Sequence, residues 1–322
     1  MRIKITHSLI FILLIASCNQ EEIETVDYRQ EMRDFVIGIS EYAKNQRPYF
    51  LIIPQNGQEL ISNTGEVNGS INLPYANAID GCGRKDLFYG YKKDNKATSQ
   101  NEKEYLLSFC DLYVNNDLEV LVIDYCHEPE KIDDSYFQNK QHGFISFAAP
   151  ERELSVIPKY PTIPYQVNEN DINSLHDAKN FLYLINTEQF DSKSNFIDNI
   201  KQTNFDLLII DLFHNEIAFT ADEIETIKNK QNGGTRLVLA YMSIGEAEDY
   251  RYYWQTEWNK NAPPWLDEEN KTWKGNYKVK YWMDKWQQII FGHNNAYLDL
   301  IIGAGFDGVY LDLIDAFEYY EQ

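Results

Sequence analysis

The sequence predicts an α/β fold: a single (β/α)8 TIM barrel in one domain. Short apolar runs rich in Ile, Val and Leu alternate with helix-like stretches, the pattern of a parallel sheet covered by helices. Eight such runs can be counted, the number that closes a barrel of this kind. No Pro/Gly/Ser linker divides the chain, and no GxGxxG follows any run, so an open dinucleotide-binding sheet lacks its fingerprint.

At the N-terminus, Arg2 and Lys4 precede an apolar run from Leu9 to Ala16. It is shorter than the roughly 20 apolar residues that span a bilayer, so residues 1–17 read as a cleaved signal peptide. Ala16 and Ser17 directly before Cys18 resemble a bacterial lipobox, which implies lipidation of Cys18 and makes residues 18–27 a lipidated tether. The expected location is the bacterial envelope, at the outer membrane or cell surface, with the membrane reached through the lipid anchor alone. Residues 28–322 then form the folded domain, expected as a monomer.

The domain begins with a helix over residues 28–46, whose Phe35, Val36, Ile39, Tyr42 and Ala43 share one apolar face. The predicted strands are residues 50–54, 78–84, 118–124, 143–147, 181–186, 207–211, 237–241 and 308–313. Three of them end alike, in "VIDY" at Asp124, "IIDLF" at Asp211 and "YLDLID" at Asp312 with Asp315 behind it. An Asp closing a barrel strand points to the C-terminal mouth, where sites of this fold are built. One such Asp could be a helix N-cap, but three favour a shared acidic mouth.

All six tryptophans fall between residues 254 and 286, in the long connection before the last strand. Most are expected to form a satellite core, with Trp282 and Trp286 the pair at helical spacing. Trp254 and Trp265 are the candidates for a platform on which a sugar ring stacks. The formal charge of −21 repels nucleic acid and suits a cationic ligand, although solubility alone would also account for it. Cys82, Cys110 and Cys126 have no metal spacing and are expected mostly as buried thiols. His127 and His214 lie just beyond strand ends, where a loop role is the simpler reading. With no HExxH, calcium loop or GxSxG elbow, neither metal nor cofactor is expected.

The blocks "FDLLIIDLF" at 205–213, "YMSIGEAEDYR" at 241–251 and "GFDGVYLDLIDAFEYY" at 305–320 resemble glycoside hydrolase family 114. So do "IIPQNGQEL" at 52–60, "IDGCGRKDLFYGY" at 79–91 and "VLVIDY" at 120–125. These are TIM-barrel endo-α-1,4-polygalactosaminidases and relatives once labelled cysteinyl-tRNA-synthetase-related. In that family the half carrying the "YMSIGEAEDYR" and "GFDGVYLD" blocks precedes the half carrying "PQNG" and "GREDLFY". Here the order is reversed, which implies a circular permutant whose N-terminal helix packs beside the last strand. The resemblance further implies an endo-glycosidase cleaving an amino-sugar polysaccharide with two carboxyl groups.

Asp312 is expected as nucleophile or cation stabiliser, with Tyr241, Ser243, Asp315, Gln55, Asn56, Asp124 and Asp211 around the sugar. Glu248, Asp249 and Arg251 are expected to form an ion network. The partner acid is less plain, because Lys85 stands where the family has Glu. Asp86 next to it is the first candidate, although a one-residue step along a strand reverses the side-chain face. Glu246 or Asp211 could supply the acid from across the mouth. Alternatively, the protein binds a glycan without cleaving it, or is a structural surface protein.

Overall fold

A computed structural model describes residues 26–321; Cys18, the expected signal peptide and most of the expected tether lie outside the described residues. All eight predicted strands are present: β1 (Leu51–Pro54), β2 (Gly81–Lys85), β3 (Glu119–Tyr125), β4 (Ile145–Ala149), β5 (Phe181–Leu184), β6 (Leu207–Ile210), β7 (Leu237–Ser243) and β8 (Gly308–Asp312). Five of them pair in parallel in the order β1-β8-β7-β6-β5, and β2-β3-β4 form a second parallel sheet. Single parallel bridges, Gln55 to Gly83 and Ser146 to Asn180, join the two sheets at both edges. Most strand residues are buried on both faces, which is why the strands read as continuous apolar runs.

The first helix, α1 (Tyr28–Gln46), starts where the Asp27 carboxylate accepts the Gln30 amide. It buries Met32, Phe35, Val36, Ile39 and Ala43. Arg47 just beyond it donates to the Phe306 carbonyl at 2.7 Å, and Tyr42 donates to Asp299 at 2.6 Å. Near its start, Arg29 pairs with Glu321 at 2.9 Å, so the two ends of the described chain lie side by side.

Gly83 on β2 is a position that only glycine can fill. A Cβ there would stand 1.9 Å from the Tyr310 hydroxyl, which reaches across from β8. The connection between β7 and β8 contains something the sequence did not suggest, a small antiparallel sheet of Glu246–Glu248, Asn276–Val279 and Leu266–Glu269. Around it the tryptophans stack as expected of a satellite core. Trp286 is fully buried and donates to the Ile244 carbonyl at 2.8 Å. Trp282 lies against Tyr28 and Tyr320, with ring centroids 5.0 and 4.8 Å apart. Cys82, Cys110 and Cys126 are buried free thiols, and no helix among the described residues is long and apolar enough to cross a membrane.

Candidate active site

Strand β8 ends on Asp312, and strand register decides what surrounds it. Asp312 pairs with Ser243 of β7 and Tyr310 with Tyr241, so the side chains of Tyr310, Tyr241 and Asp312 share one face of the sheet. The Tyr241 hydroxyl donates to Asp312 Oδ2 at 2.9 Å. Oδ1 accepts the Leu313 amide at 3.0 Å and the carboxamide of Gln55, which is wholly buried. Lys85 at the end of β2 brings its Nζ to 3.7 Å from the same oxygen. Burial pulls the Lys85 ammonium down, but Asp312 first, then Tyr125, Asp315 and Asp86, outweigh that and hold its pKa above the ordinary lysine value.

Three neighbouring strands leave the sheets through a non-glycine residue in the left-handed region: Asn56 after β1, Asp86 after β2 and Leu313 after β8, with φ of 63°, 62° and 61°. Each such conformation costs of order 1–3 kcal/mol and persists where the surroundings over-determine it, as they often do at functional sites. At Leu313 the return is visible: the turn aims its amide at the Asp312 carboxylate. At Asn56 the amide side chain donates to Asp315 at 3.3 Å and accepts the Lys85 amide at 3.3 Å. Burial raises the Asp315 pKa, Asp312 adds to the rise, and Lys85 and Arg84 oppose it.

A cleft of about 240 Å³ opens beside this cluster, lined by Glu246, Asp315, Glu318, Lys278 and Tyr319 among others. Glu246 reaches it from the small antiparallel sheet, where it lies opposite Lys278. It is 5% exposed and accepts the Asn270 amide at 2.7 Å. Burial raises its pKa most, bonds from Asn270 and Asn276 oppose the rise, and Asp312 and Glu248 add to it. The arrangement sets a fully hydrogen-bonded carboxylate, Asp312, near a carboxyl group pushed toward its protonated form, a division of labour suited to acid-assisted displacement.

The model of the family described as "Glycoside-hydrolase family GH114" matches residues 166–322. Residues 166–322 are a glycoside-hydrolase family GH114 segment. The chain is 47% identical over 129 residues to the uncharacterized protein MJ1477 of Methanocaldococcus jannaschii, a match covering 39% of the chain and 35% of the relative. It is 43% identical over 123 residues to an uncharacterized protein of Thermotoga maritima, covering 38% of the chain and 36% of the relative. A Deinococcus radiodurans relative, also uncharacterized, is 38% identical over 127 residues, or 39% of the chain and 38% of the relative. The chain thus spans little more than a third of the length of each of these relatives.

The other predicted site residues of the chain fall into two groups. Gln55, Asn56, Tyr241 and Asp315 join Asp312, as described above. Asp86 does not: its carboxylate turns to Arg152, which donates to Oδ1 at 2.8 Å and stacks over the Tyr125 ring at 4.2 Å. Burial raises the Asp86 pKa and Arg152 opposes this. Lys85, the last residue of β2, is the one that reaches Asp312, and the left-handed turn at Asp86 carries the next carboxylate away from it.

Asp124 is also displaced from the expected role. It is 0% exposed and accepts the Phe88 and Tyr89 amides at 2.8 and 3.1 Å, Ser135 at 2.7 Å and Asn139 at 3.2 Å, which leaves nothing for a sugar. Asp211 is consumed in a buried pair with Arg251 at 2.7 Å, which in turn bonds Glu248. That is the expected ion network with Asp211 in place of Asp249. Ser243 spends its hydroxyl on the Glu246 carbonyl at 2.9 Å, closing the turn that delivers Glu246.

Trp265 is 3% exposed and packs on Trp258 and Trp286, so it is core and not platform; Trp254 packs on Tyr277 with centroids 4.8 Å apart. The exposed member of the set is Trp273, at 52%. Its spacing from the other tryptophans does not set it apart, but "ENKTWKGN" around it reads as a polar turn, and that was the available signal. His214 is buried and His127 exposed, neither beside Asp312 by any hydrogen bond.

Proposed function

We propose that the protein is a glycoside hydrolase whose two catalytic carboxyl groups are Asp312 and Glu246, acting on an amino-sugar-containing polysaccharide. The observation that carries the reading is the pairing of a GH114 segment with Asp312 at the end of β8, gripped by Gln55, Tyr241 and the Leu313 amide while Glu246 stands near it with a raised pKa. In the proposed reaction Glu246 gives its proton to the glycosidic oxygen as that bond breaks. Asp312 takes the positive charge developing at the anomeric carbon, as nucleophile. A water that then loses its proton to Glu246 releases the sugar.

The acidic chain favours a cationic, partly deacetylated polymer. The test is to incubate the purified protein with α-1,4-linked galactosamine polymer and related glycans and to count new reducing ends. No release from any of them defeats the proposal.

The fold-level part of the reading is a (β/α)8 barrel made from the two sheets, circularly permuted relative to the family. Support comes from the two edge bridges, from β1 pairing with β8 although they stand at opposite ends of the chain, and from the Arg29–Glu321 contact. A chain recut to begin at residue 178, with 322 joined to 28 by a short linker, should fold to the same far-UV spectrum and melt in one transition. Failure to fold would count against permutation. The proposed surface tether rests on the "IASC" stretch ending at Cys18, and replacing that cysteine by Ala should move the protein from the membrane to the soluble fraction.

A second reading, glycan binding without turnover, is favoured by one contact. Lys85 lies 3.7 Å from Asp312, a position from which an ammonium can blunt a nucleophile. Under the hydrolase reading, Lys85→Glu puts a like charge against Asp312 and should lower kcat by about ten-fold or more. Under the binding reading, the same change creates the missing carboxyl group, and reducing ends appear where the wild type gives none.

A further inference from the structure

A second cleft, of about 390 Å³, lies between the turn after β6 and the segment following Glu246–Glu248. Its size falls in the roughly 300–1,000 Å³ of small-ligand pockets, and none of the residues lining it lines the cleft at Glu246 and Asp315. Phe213, Asn215 and Glu216 line it from the first segment, and Asp249, Tyr250, Arg251 and Tyr252 from the second.

The tyrosines are unusual for surface residues. Tyr250 is 58% exposed and Tyr252 43%, yet both hydroxyls are already bonded within the protein: Tyr250 donates to Glu248 at 2.7 Å and Tyr252 to the Asn295 carbonyl at 2.9 Å. The rings are held further by Phe213 against Tyr252, with centroids 5.8 Å apart, and by the Arg251 guanidinium 5.2 Å from the Tyr250 centroid. Such rings present fixed apolar surface to water and lose little freedom when something covers them. Arg251 has its charge answered by Asp211 and Glu248, whereas Glu216 and Asp249 take part in no ion pair among the described residues.

Fixed aromatic rings beside unspent hydrogen-bond acceptors match the two sides of a pyranose, whose axial C–H groups pack on a ring while its hydroxyl or ammonium groups donate at the edge. We infer that this cleft is a second glycan-binding site, holding a sugar unit of a polysaccharide apart from the bond that is cut. The inference rests on the proposal that the ligand is a glycan. It does not require that the protein cleave one.

Affinity electrophoresis through gels containing α-1,4-linked galactosamine polymer, chitosan or a neutral glucan separates the two claims. The wild type should be retarded by at least one polymer, and Asp312→Asn should still be retarded by it. Tyr252→Ala should weaken that retardation about ten-fold or more. Because Tyr252 also packs on Tyr297, an Asn215→Ala/Glu216→Ala variant on the exposed turn gives the same test without touching the core, and it should also weaken binding. Retardation of both cleft variants equal to that of the wild type overturns the inference, as does a wild type that no polymer retards. If Asp312→Asn alone abolishes retardation, the glycan is held at Asp312 only and the second site is refuted. Retardation without reducing-end release leaves the second site standing and defeats hydrolysis.

Discussion

Replacing Asp312 by Asn should lower kcat on a cleaved polysaccharide by about 10³-fold or more while leaving the melting temperature close to that of the wild type. The asparagine keeps the size of the side chain and can still accept from Gln55 and the Leu313 amide, but it cannot answer the charge at the anomeric carbon. Its NH2 group then faces the Tyr241 hydroxyl, which must turn to accept instead of donate, and its neutral carbonyl oxygen answers the Lys85 ammonium less well than a carboxylate. Undiminished release of reducing ends from Asp312→Asn would remove Asp312 from the mechanism.

The partner assignment is tested in the same assay. Glu246→Gln should cost about 10²–10⁴-fold, with the loss largest on substrates whose leaving group most needs a proton. The pH profile carries independent information. A general acid must be protonated to act, and burial raises the Glu246 pKa, so activity should fall as pH rises through that raised value. The Glu246→Gln variant should lack this limb. A limb unchanged in the variant assigns the titration to another group.

The second large effect concerns stability. Arg251 is 9% exposed and answers both Asp211 and Glu248, which are 6% and 1% exposed. Arg251→Met keeps most of the packing but leaves two carboxylates buried without a counter-charge, and breaking a buried pair in this way costs about 3–5 kcal/mol. Urea denaturation at pH 7 should show the loss as a lower midpoint with little change of slope.

The sign of its pH dependence follows from Asp211, whose pKa burial already raises while Arg251 opposes that rise. Without Arg251 the folded state binds the Asp211 proton more tightly still than the unfolded state does. The variant should therefore recover stability as pH falls and lose it as pH rises through the folded pKa. A midpoint equal to that of the wild type at pH 7 would show the network to be dispensable.

Much of this molecule was legible in the sequence because its strands are buried on both faces. Residues such as 207–210 and 237–241 can be little else than central parallel strands, and the Asp closing the 308–312 run marks a strand end. Periodicity likewise fixed the apolar face of Tyr28–Gln46. The small antiparallel sheet was harder to see, since Asn276–Val279 is only half buried and its alternation is short. Its consequence is large, because that sheet, with the Ser243 hydroxyl on the Glu246 carbonyl, is what carries Glu246 to the site.

The three strand-end aspartates show what a sequence cannot separate. Asp124, Asp211 and Asp312 sit in nearly identical local contexts, and the sequence by itself determined that each closes a buried strand. Tertiary structure alone decided their fates, because the fate of a carboxylate depends on which donors the rest of the fold brings to it. Asp124 meets four donors and no solvent, Asp211 meets an arginine from 40 residues away, and Asp312 meets donors that still leave it beside an open cleft. Lys85 and Asp86 divide in the same way: adjacent in the chain, Lys85 ends β2 and reaches Asp312, while Asp86 lies in the left-handed turn just beyond and goes to Arg152.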